Sequence, residues 1–334
     1  MTIKKAYVVG NNVKKSLSPT IFRHWFEKYK IDAEYGYKEI KEESFDEKIR
    51  SILKERGLVG LNITMPYKEK IAPHLNRIDT DGAIKKLLVK DYYFCSNAVN
   101  CVTIKKKQLI GKNTDWTGFG DAYLHNSKKN YESDFIIPKE RRTALVFGFG
   151  GAGKAVVFSL LRNLLWKQII VCDRTFDKIK TIQGVYLPTL GEKNFFSYED
   201  YDGVLVKKHL KEGLDTKERT KLANEGLTFI DCIKPKEIPK QIGKADLVIN
   251  TTPTNILNEF TNLKIKTNCE GFDIVYQPRE GTGFLKHFKP KNRIEGVQML
   301  VYQAAPCLKL WFGVEPEIDE DLFNALYKKM DEIE

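Results

Sequence analysis

Thr143-Ala144-Leu145-Val146-Phe147-Gly148-Phe149-Gly150-Gly151-Ala152-Gly153 decides the fold. Thr143 to Phe147 is a short apolar run of the length of a buried strand. Ala155 to Trp166, just past the glycines, is a strongly apolar helical segment that leads to a second strand at Gln168 to Cys172. The spacing G-x-G-x-x-G is a weak signal alone, but here it stands between a strand and a helix and has a physical reading. Gly148 permits a tight turn, Gly150 lets the backbone approach a pyrophosphate, and Gly153 allows close packing of helix on strand. Gly151 and Ala152 then lie at the positive end of the helix, where free amides stabilise phosphate groups. A dinucleotide-binding unit follows.

The strand after this helix ends in Cys172-Asp173-Arg174-Thr175, with Asp173 twenty residues beyond Gly153. An acidic residue at this place takes the ribose hydroxyls and favours NAD, whereas an arginine accommodates the 2′-phosphate of NADP. Both are present. Arg174, with Thr175 and Lys178, supports NADP, and Asp173 supports NAD, so these residues by themselves leave the 2′-phosphate open.

Working back toward the N-terminus, strand and helix patterns alternate. Ala6 to Gly10 reads as a strand, and Ser18-Pro19 opens a helix with serine as N-cap and proline at its first position. Phe22, Trp25, Phe26 and Tyr29 follow at helical spacing and form one buried stripe. A second strand, Ala33 to Ile40, precedes Ser44-Phe45-Asp46-Glu47, which has the spacing of a capping box, and the helix it begins stops near Gly57. Leu58 to Thr64 is the third strand. Such alternation implies βαβ units and a parallel sheet. Residues 126–142 lose periodicity and gain charge, as a linker does. From Gly184 to about Lys234 the chain is polar and irregular apart from a helix-like piece near Lys217 to Asn224. Asp246 to Thr251 and Cys269 to Val275 resume the strand pattern, and Val297 to Phe312, despite Pro306, and Leu322 to Met330 read as helices.

The 334 residues allow two domains, and 42% hydrophobic with 11% aromatic content is that of an ordinary folded protein. No apolar run approaches the roughly 20 residues that span a bilayer, and the N-terminus lacks a secretory apolar segment, so a cytoplasmic protein without membrane association is expected. Cys95, Cys101, Cys172, Cys232, Cys269 and Cys307 are scattered and contain no C-x-x-C pair, which favours reduced packing residues over disulfides or a zinc site. His24, His74, His125, His209 and His287 have no partner spacing, and no metal constellation emerges. The net charge of +11 is spread along the chain among glutamates, so it argues for a solvated surface that attracts anionic ligands, not for nucleic acid.

Polar groups cluster at strand ends, where ligands gather in open α/β sheets. They are Ser16-Leu17-Ser18-Pro19, Asn62-Ile63-Thr64-Met65-Pro66-Tyr67-Lys68, and Asn97-Ala98-Val99-Asn100 with Asn113-Thr114-Asp115. Downstream stand Asp246 to Pro253, Asp273-Ile274-Val275-Tyr276-Gln277-Pro278, and Gly296-Val297-Gln298-Met299-Leu300-Val301-Tyr302-Gln303-Ala304. In this order, around a dinucleotide turn, the motifs resemble the shikimate dehydrogenase family. The resemblance implies reversible reduction of 3-dehydroshikimate to shikimate, a step of aromatic amino-acid (chorismate) biosynthesis, with NADPH as the usual hydride donor. It places Ser16 and Ser18 on the substrate carboxylate, Thr64, Asn100 and Gln303 on its hydroxyls, Asn62 among the substrate-binding residues, and Tyr276 near substrate and nicotinamide. Thr251 joins the cofactor residues, and Lys68 and Asp115 become the catalytic pair. Asn97 stands where the family commonly has glycine, Tyr67 where histidine is frequent, and Asp173 where asparagine is frequent.

The chemistry asks for such a pair independently, because hydride addition to a ketone leaves an alkoxide that needs a proton. An aspartate beside a lysine favours the charged amine, so Asp115 is expected chiefly to orient Lys68 and to bind a substrate hydroxyl. The expected fold is α/β in two domains. Residues 1–120 form an N-terminal substrate domain completed by helices in 296–334, and residues 121–295 form a Rossmann-like NAD(P)-binding domain, with the active site in the cleft between them. The expected ligands are a small-molecule acid and NADP, with NAD open, in a monomer or homodimer. An NAD-dependent quinate/shikimate dehydrogenase is the nearest alternative; a non-catalytic shikimate-binding sensor and a folate-linked dehydrogenase stand further off.

Overall fold

The computed structural model describes residues 2–79, 98–127, 140, 142–162, 165–180, 182–186, 216–224 and 226–333. Cys95, Asn97, His209, most of the proposed linker and residues 187–215 of the irregular stretch lie outside the described residues. The chain divides into two compact units, one of residues 1–122, 277–279 and 297–334, the other of residues 123–276 and 280–296.

In the first unit, β1 (Lys4–Gly10), α1 (Ser18–Tyr29), β2 (Ala33–Glu39), α2 (Phe45–Ile52) and β3 (Leu58–Ile63) alternate as the pattern requires. They are followed by β4 (Arg77–Ile78), β5 (Cys101–Lys105), β6 (Gln108–Lys112) and α3 (Asp115–Asn126). The sheet order is β2-β1-β3-β5-β6-β4. β1 pairs in parallel with β2 and β3, but β5 runs antiparallel to both β3 and β6, so the expected parallel sheet is mixed. The antiparallel β5–β6 pair is a hairpin closed at Lys106-Lys107, where φ is 49° and 63°. Positive φ at both central residues gives the twist that a tight hairpin needs, a job usually done by Asn-Gly, and two lysines do not announce it.

Two expected caps are not formed. α1 has Leu17 at its N-cap position, and the Ser16 hydroxyl accepts from the Ser18 amide at 3.3 Å. The buried Leu17 side chain anchors this turn and shifts the helix start by one residue. Ser44 donates instead to the Lys41 carbonyl at 3.2 Å, because a 3-10 turn over Glu42–Ser44 precedes α2. The apolar face of α2, with Phe45, Ile49 and Ile52, packs with Val9, Leu61, Ile63 and Tyr67 as expected from its spacing.

The second unit contains β7 (Arg142–Phe147), α4 (Gly151–Leu161), β8 (Trp166–Cys172), α5 (Phe176–Lys180) and β9 (Gly184–Tyr186). It continues through α6 (Thr216–Asn224), β10 (Thr228–Ile233), α7 (Ile238–Gln241), β11 (Leu247–Asn250), β12 (Glu270–Asp273) and β13 (Arg293–Glu295). The order β13-β12-β11-β7-β8-β10-β9 is parallel except for β9. Every residue of β7 and of β11 is buried, the signature of a sheet covered on both faces. This is the Rossmann-like arrangement that the glycine-rich stretch implies. No helix of the described residues is long and apolar enough to cross a membrane.

The chain then returns to the first unit with α8 (Gly296–Phe312) and α9 (Glu320–Ile333). Trp311 of α8 lies on β3, its indole N–H donating to the Val102 carbonyl at 3.1 Å, and Phe22 stacks on both Trp311 and Tyr35. Gly60 makes room for that indole, since a Cβ there would meet the ring at 2.1 Å. Gly60→Ala should therefore lower stability by about 1–3 kcal/mol, the cost of overpacking a rigid core contact, measured as a fall in the urea midpoint at unchanged slope.

Candidate active site

In the first unit, backbone pairing brings three motifs to one place. The Thr64 amide donates to the Val9 carbonyl at 3.0 Å, Ile63 to the Asn100 carbonyl at 2.8 Å, and Val99 to the Lys68 carbonyl at 2.8 Å. Asn113 Oδ1 accepts from the Asp115 amide at 2.9 Å and opens α3, and its Nδ2 donates to the Ala98 carbonyl at 2.7 Å. Asp115 thus stands in the first turn of a helix, where a carboxylate is favoured by the helix dipole.

Lys68 Nζ donates to Asp115 Oδ2 at 2.5 Å, with side-chain exposures of 16% and 7%. The other carboxylate oxygen accepts from Asn100 Nδ2 at 2.8 Å. The same amide lies 2.9 Å from Thr114 Oγ1 and 3.1 Å from Gln303 Oε1, while Asn100 Oδ1 accepts from the Thr114 amide at 2.6 Å. Thr114 Oγ1 donates to the Gln303 carbonyl at 2.9 Å. Gln303 reaches this network because Gly118 of α3 lies directly against it; a Cβ on Gly118 would fall 2.5 Å from the Gln303 Cβ. Lys68, Asn100, Asp115 and Gln303 therefore form one bonded cluster centred on Asn100, and Thr114, which carries no role in the sequence pattern, links Asn100 to Gln303.

Asn62 is committed within the protein. Its Oδ1 accepts from the Tyr35 hydroxyl at 2.8 Å, and its Nδ2 faces the Asn100 carbonyl and Cys307 Sγ, each at 3.3 Å. Tyr35 and Cys307 carry no motif and are found only through this packing. Ser16 and Ser18 lie with their hydroxyls 3.2 Å apart at the start of α1. Tyr67, the departure from histidine, is fully buried, stacks on Phe45 at 4.3 Å and donates to the Ile40 carbonyl at 2.5 Å. It is a core residue.

In the second unit, Gly148 has φ of 90°, and a Cβ there would meet Thr251 Oγ1 at 2.7 Å. A Cβ on Gly153 would lie 2.3 Å from the Gly148 carbonyl oxygen, so helix and strand approach as the spacing requires. Gly150 is different: a Cβ there would meet no protein atom within 4 Å. Packing alone does not explain glycine at this exposed position, which leaves the backbone beside the amides of Gly151 and Ala152 open to a ligand. Thr251 holds the turn, donating to the Phe147 carbonyl at 2.7 Å. Asp173 accepts from the Phe149 amide at 2.8 Å and the Thr175 amide at 2.9 Å, which fixes its carboxylate against the glycine turn. Arg174 and Thr175 are exposed beside it. Asp273, the buried last residue of β12, accepts from the Val275 and Thr282 amides at 3.2 and 3.0 Å and so shapes the loop that carries Tyr276.

The described cysteines are free. Burial pushes the Cys172, Cys232 and Cys269 thiols up to about 12, so they remain protonated and unreactive.

A Rossmann-like unit with a phosphate cradle, together with a lysine–aspartate pair set in a polar cluster, defines a nicotinamide-dependent oxidoreductase. The shikimate dehydrogenase substrate binding domain matches residues 8–85. A shikimate dehydrogenase (NADP(+)) of Bacillus anthracis is 31% identical over 325 residues, covering 95% of this chain and 96% of that protein. One from Pelagibacter ubique is 28% identical over 331 residues, covering 97% and 99%. The crystal structure of a shikimate dehydrogenase in complex with NADP+ superposes with a TM-score of 0.68 at 25% identity, covering 98% of this chain and 96% of that one. The chain belongs to the shikimate dehydrogenase family.

Tyr67→Phe tests the core assignment of that departure. It should cost about 1 kcal/mol of stability, the net worth of one hydrogen bond, and leave the Michaelis constants for acid and dinucleotide unchanged.

Proposed function

We propose that this chain reversibly reduces 3-dehydroshikimate to shikimate, a step of aromatic amino-acid biosynthesis, using NADPH. The observation that carries the reading is the Lys68–Asp115 pair held inside the Asn100 cluster. Reduction of a ketone leaves an oxyanion, and a positioned ammonium both stabilises that charge and returns a proton to it. Lys68 uses one donor on Asp115, and its other N–H groups have no protein partner among the described residues, so they are available to the substrate oxygen. Asp115, held by Lys68 and Asn100, orients the ammonium and accepts from a substrate hydroxyl.

Thr64, Asn100 and Gln303 bind the remaining hydroxyls, and Ser16 and Ser18 the carboxylate. Asn62 acts one step back, through the Asn100 carbonyl. NADPH, when bound, supplies the hydride. Gly148, Gly150, Gly151, Ala152 and Gly153 hold its pyrophosphate, Arg174 and Thr175 its 2′-phosphate, Thr251 braces the turn, and Tyr276 is assigned to binding of the nicotinamide and the acid. Asp173, the residue that would favour NAD, has both carboxylate oxygens accepting backbone amides.

Steady-state rates with shikimate and quinate, each with NADP and NAD, should show turnover of shikimate with NADP exceeding the other three combinations. No turnover of either acid would sink the proposal. Lys68→Ala should leave dinucleotide binding nearly intact and cut turnover at least about a hundredfold, the scale of lost acid–base catalysis; a near-wild-type rate removes Lys68 from the mechanism. Arg174→Ala should raise the Michaelis constant for NADP more than that for NAD, and equal losses would show that the arginine does not read the phosphate.

A further inference from the structure

We propose that Lys234 is a second cationic contact for the 2′-phosphate, supplied by the strand next to the one that carries Arg174. This rests on the dinucleotide reading above. β10 pairs in parallel with β8, Ile233 opposite Cys172, so Lys234 and Asp173-Arg174-Thr175 leave the same end of neighbouring strands. Such strands are about 4.8 Å apart, a separation that one phosphate group can bridge with side chains from both.

The Lys234 side chain is directed toward that turn. Its Nζ lies 5.2 Å from the centroid of the Phe176 ring, and Phe176 directly follows Arg174-Thr175. The negative face of the ring holds the ammonium there without neutralising it.

Neither Lys234 nor Arg174 has a carboxylate partner among the described residues, whereas other lysines, such as Lys38 with Glu55 and Lys266 with Asp246, are paired. The nearby carboxylates are occupied. Glu237 accepts from the backbone amide of Lys234 at 2.9 Å, Asp231 pairs with Arg219, and Asp173 accepts two backbone amides. A phosphate monoester carries about −1.5 to −2 charges at neutral pH, more than one arginine balances. NAD has a hydroxyl at this place and offers Lys234 no charge to neutralise, so the lysine favours NADP.

The test uses the full chain and fragments that contain neither nicotinamide nor acid. Binding of 2′,5′-ADP and 5′-AMP is measured by calorimetry for the wild type, Lys234→Ala and Lys234→Arg. Lys234→Ala should weaken 2′,5′-ADP about tenfold, the scale of one charge-assisted contact, and leave 5′-AMP unchanged, with Lys234→Arg restoring most of the loss. Equal loss for both fragments, or no loss for either, overturns the role of Lys234 while leaving the dinucleotide reading intact. Failure of the wild type to bind either fragment overturns both.

Discussion

The buried side chain of Asn100 is the constraint on which the first unit's chemistry depends. Its amide nitrogen shares two N–H donors among Asp115, Thr114 and Gln303, its amide oxygen takes the Thr114 amide, and its backbone carbonyl takes Ile63 and Asn62. These bonds tie β3, the end of β6, the start of α3 and the middle of α8 to one residue. A buried polar group left without a partner costs about 1–3 kcal/mol, so each of these bonds disfavours any displacement of its partner. The consequence is functional rigidity: Asp115 has one oxygen fixed by Asn100, and the other is aimed at Lys68. A flexible lysine is thereby given one preferred position.

The second unit achieves positioning by other means. Its turn is set by backbone contacts that only glycine permits, and polar side chains at the strand ends brace it. Thr251 and Asp173 spend their hydrogen bonds on the turn from either side. In the proposed function, positive potential at the start of α4 and exposed cations near Arg174 supply attraction for phosphate. The chain's net charge of +11 acts in the same direction over a longer range.

Much of this was legible in the sequence because several signals are local. The glycine spacing, the amphipathic face of Phe45, Ile49 and Ile52, and the buried stripe of α1 each follow from a short-range period. The Lys106-Lys107 hairpin was not legible, since positive φ at two lysines is imposed by the pairing of β5 with β6 and not by the residues. The caps at Ser18 and Ser44 failed for a related reason: burial of Leu17 and a preceding 3-10 turn outweighed the short-range preference. Thr114, Tyr35 and Cys307 surround the site without a motif of their own.

By itself the sequence determined the dinucleotide turn and the alternation of strands and helices, because these depend on residue type and spacing along the chain, and its family resemblance pointed to Lys68 and Asp115 as the pair proposed to react. Only the tertiary structure decided how the polar groups divide their hydrogen bonds. It gave Asn62 to Tyr35 and the Asn100 carbonyl, Tyr67 to the core, and Asp173 to two backbone amides. Such choices are made between residues far apart in sequence, where a donor goes to whichever acceptor the packing brings within about 3 Å.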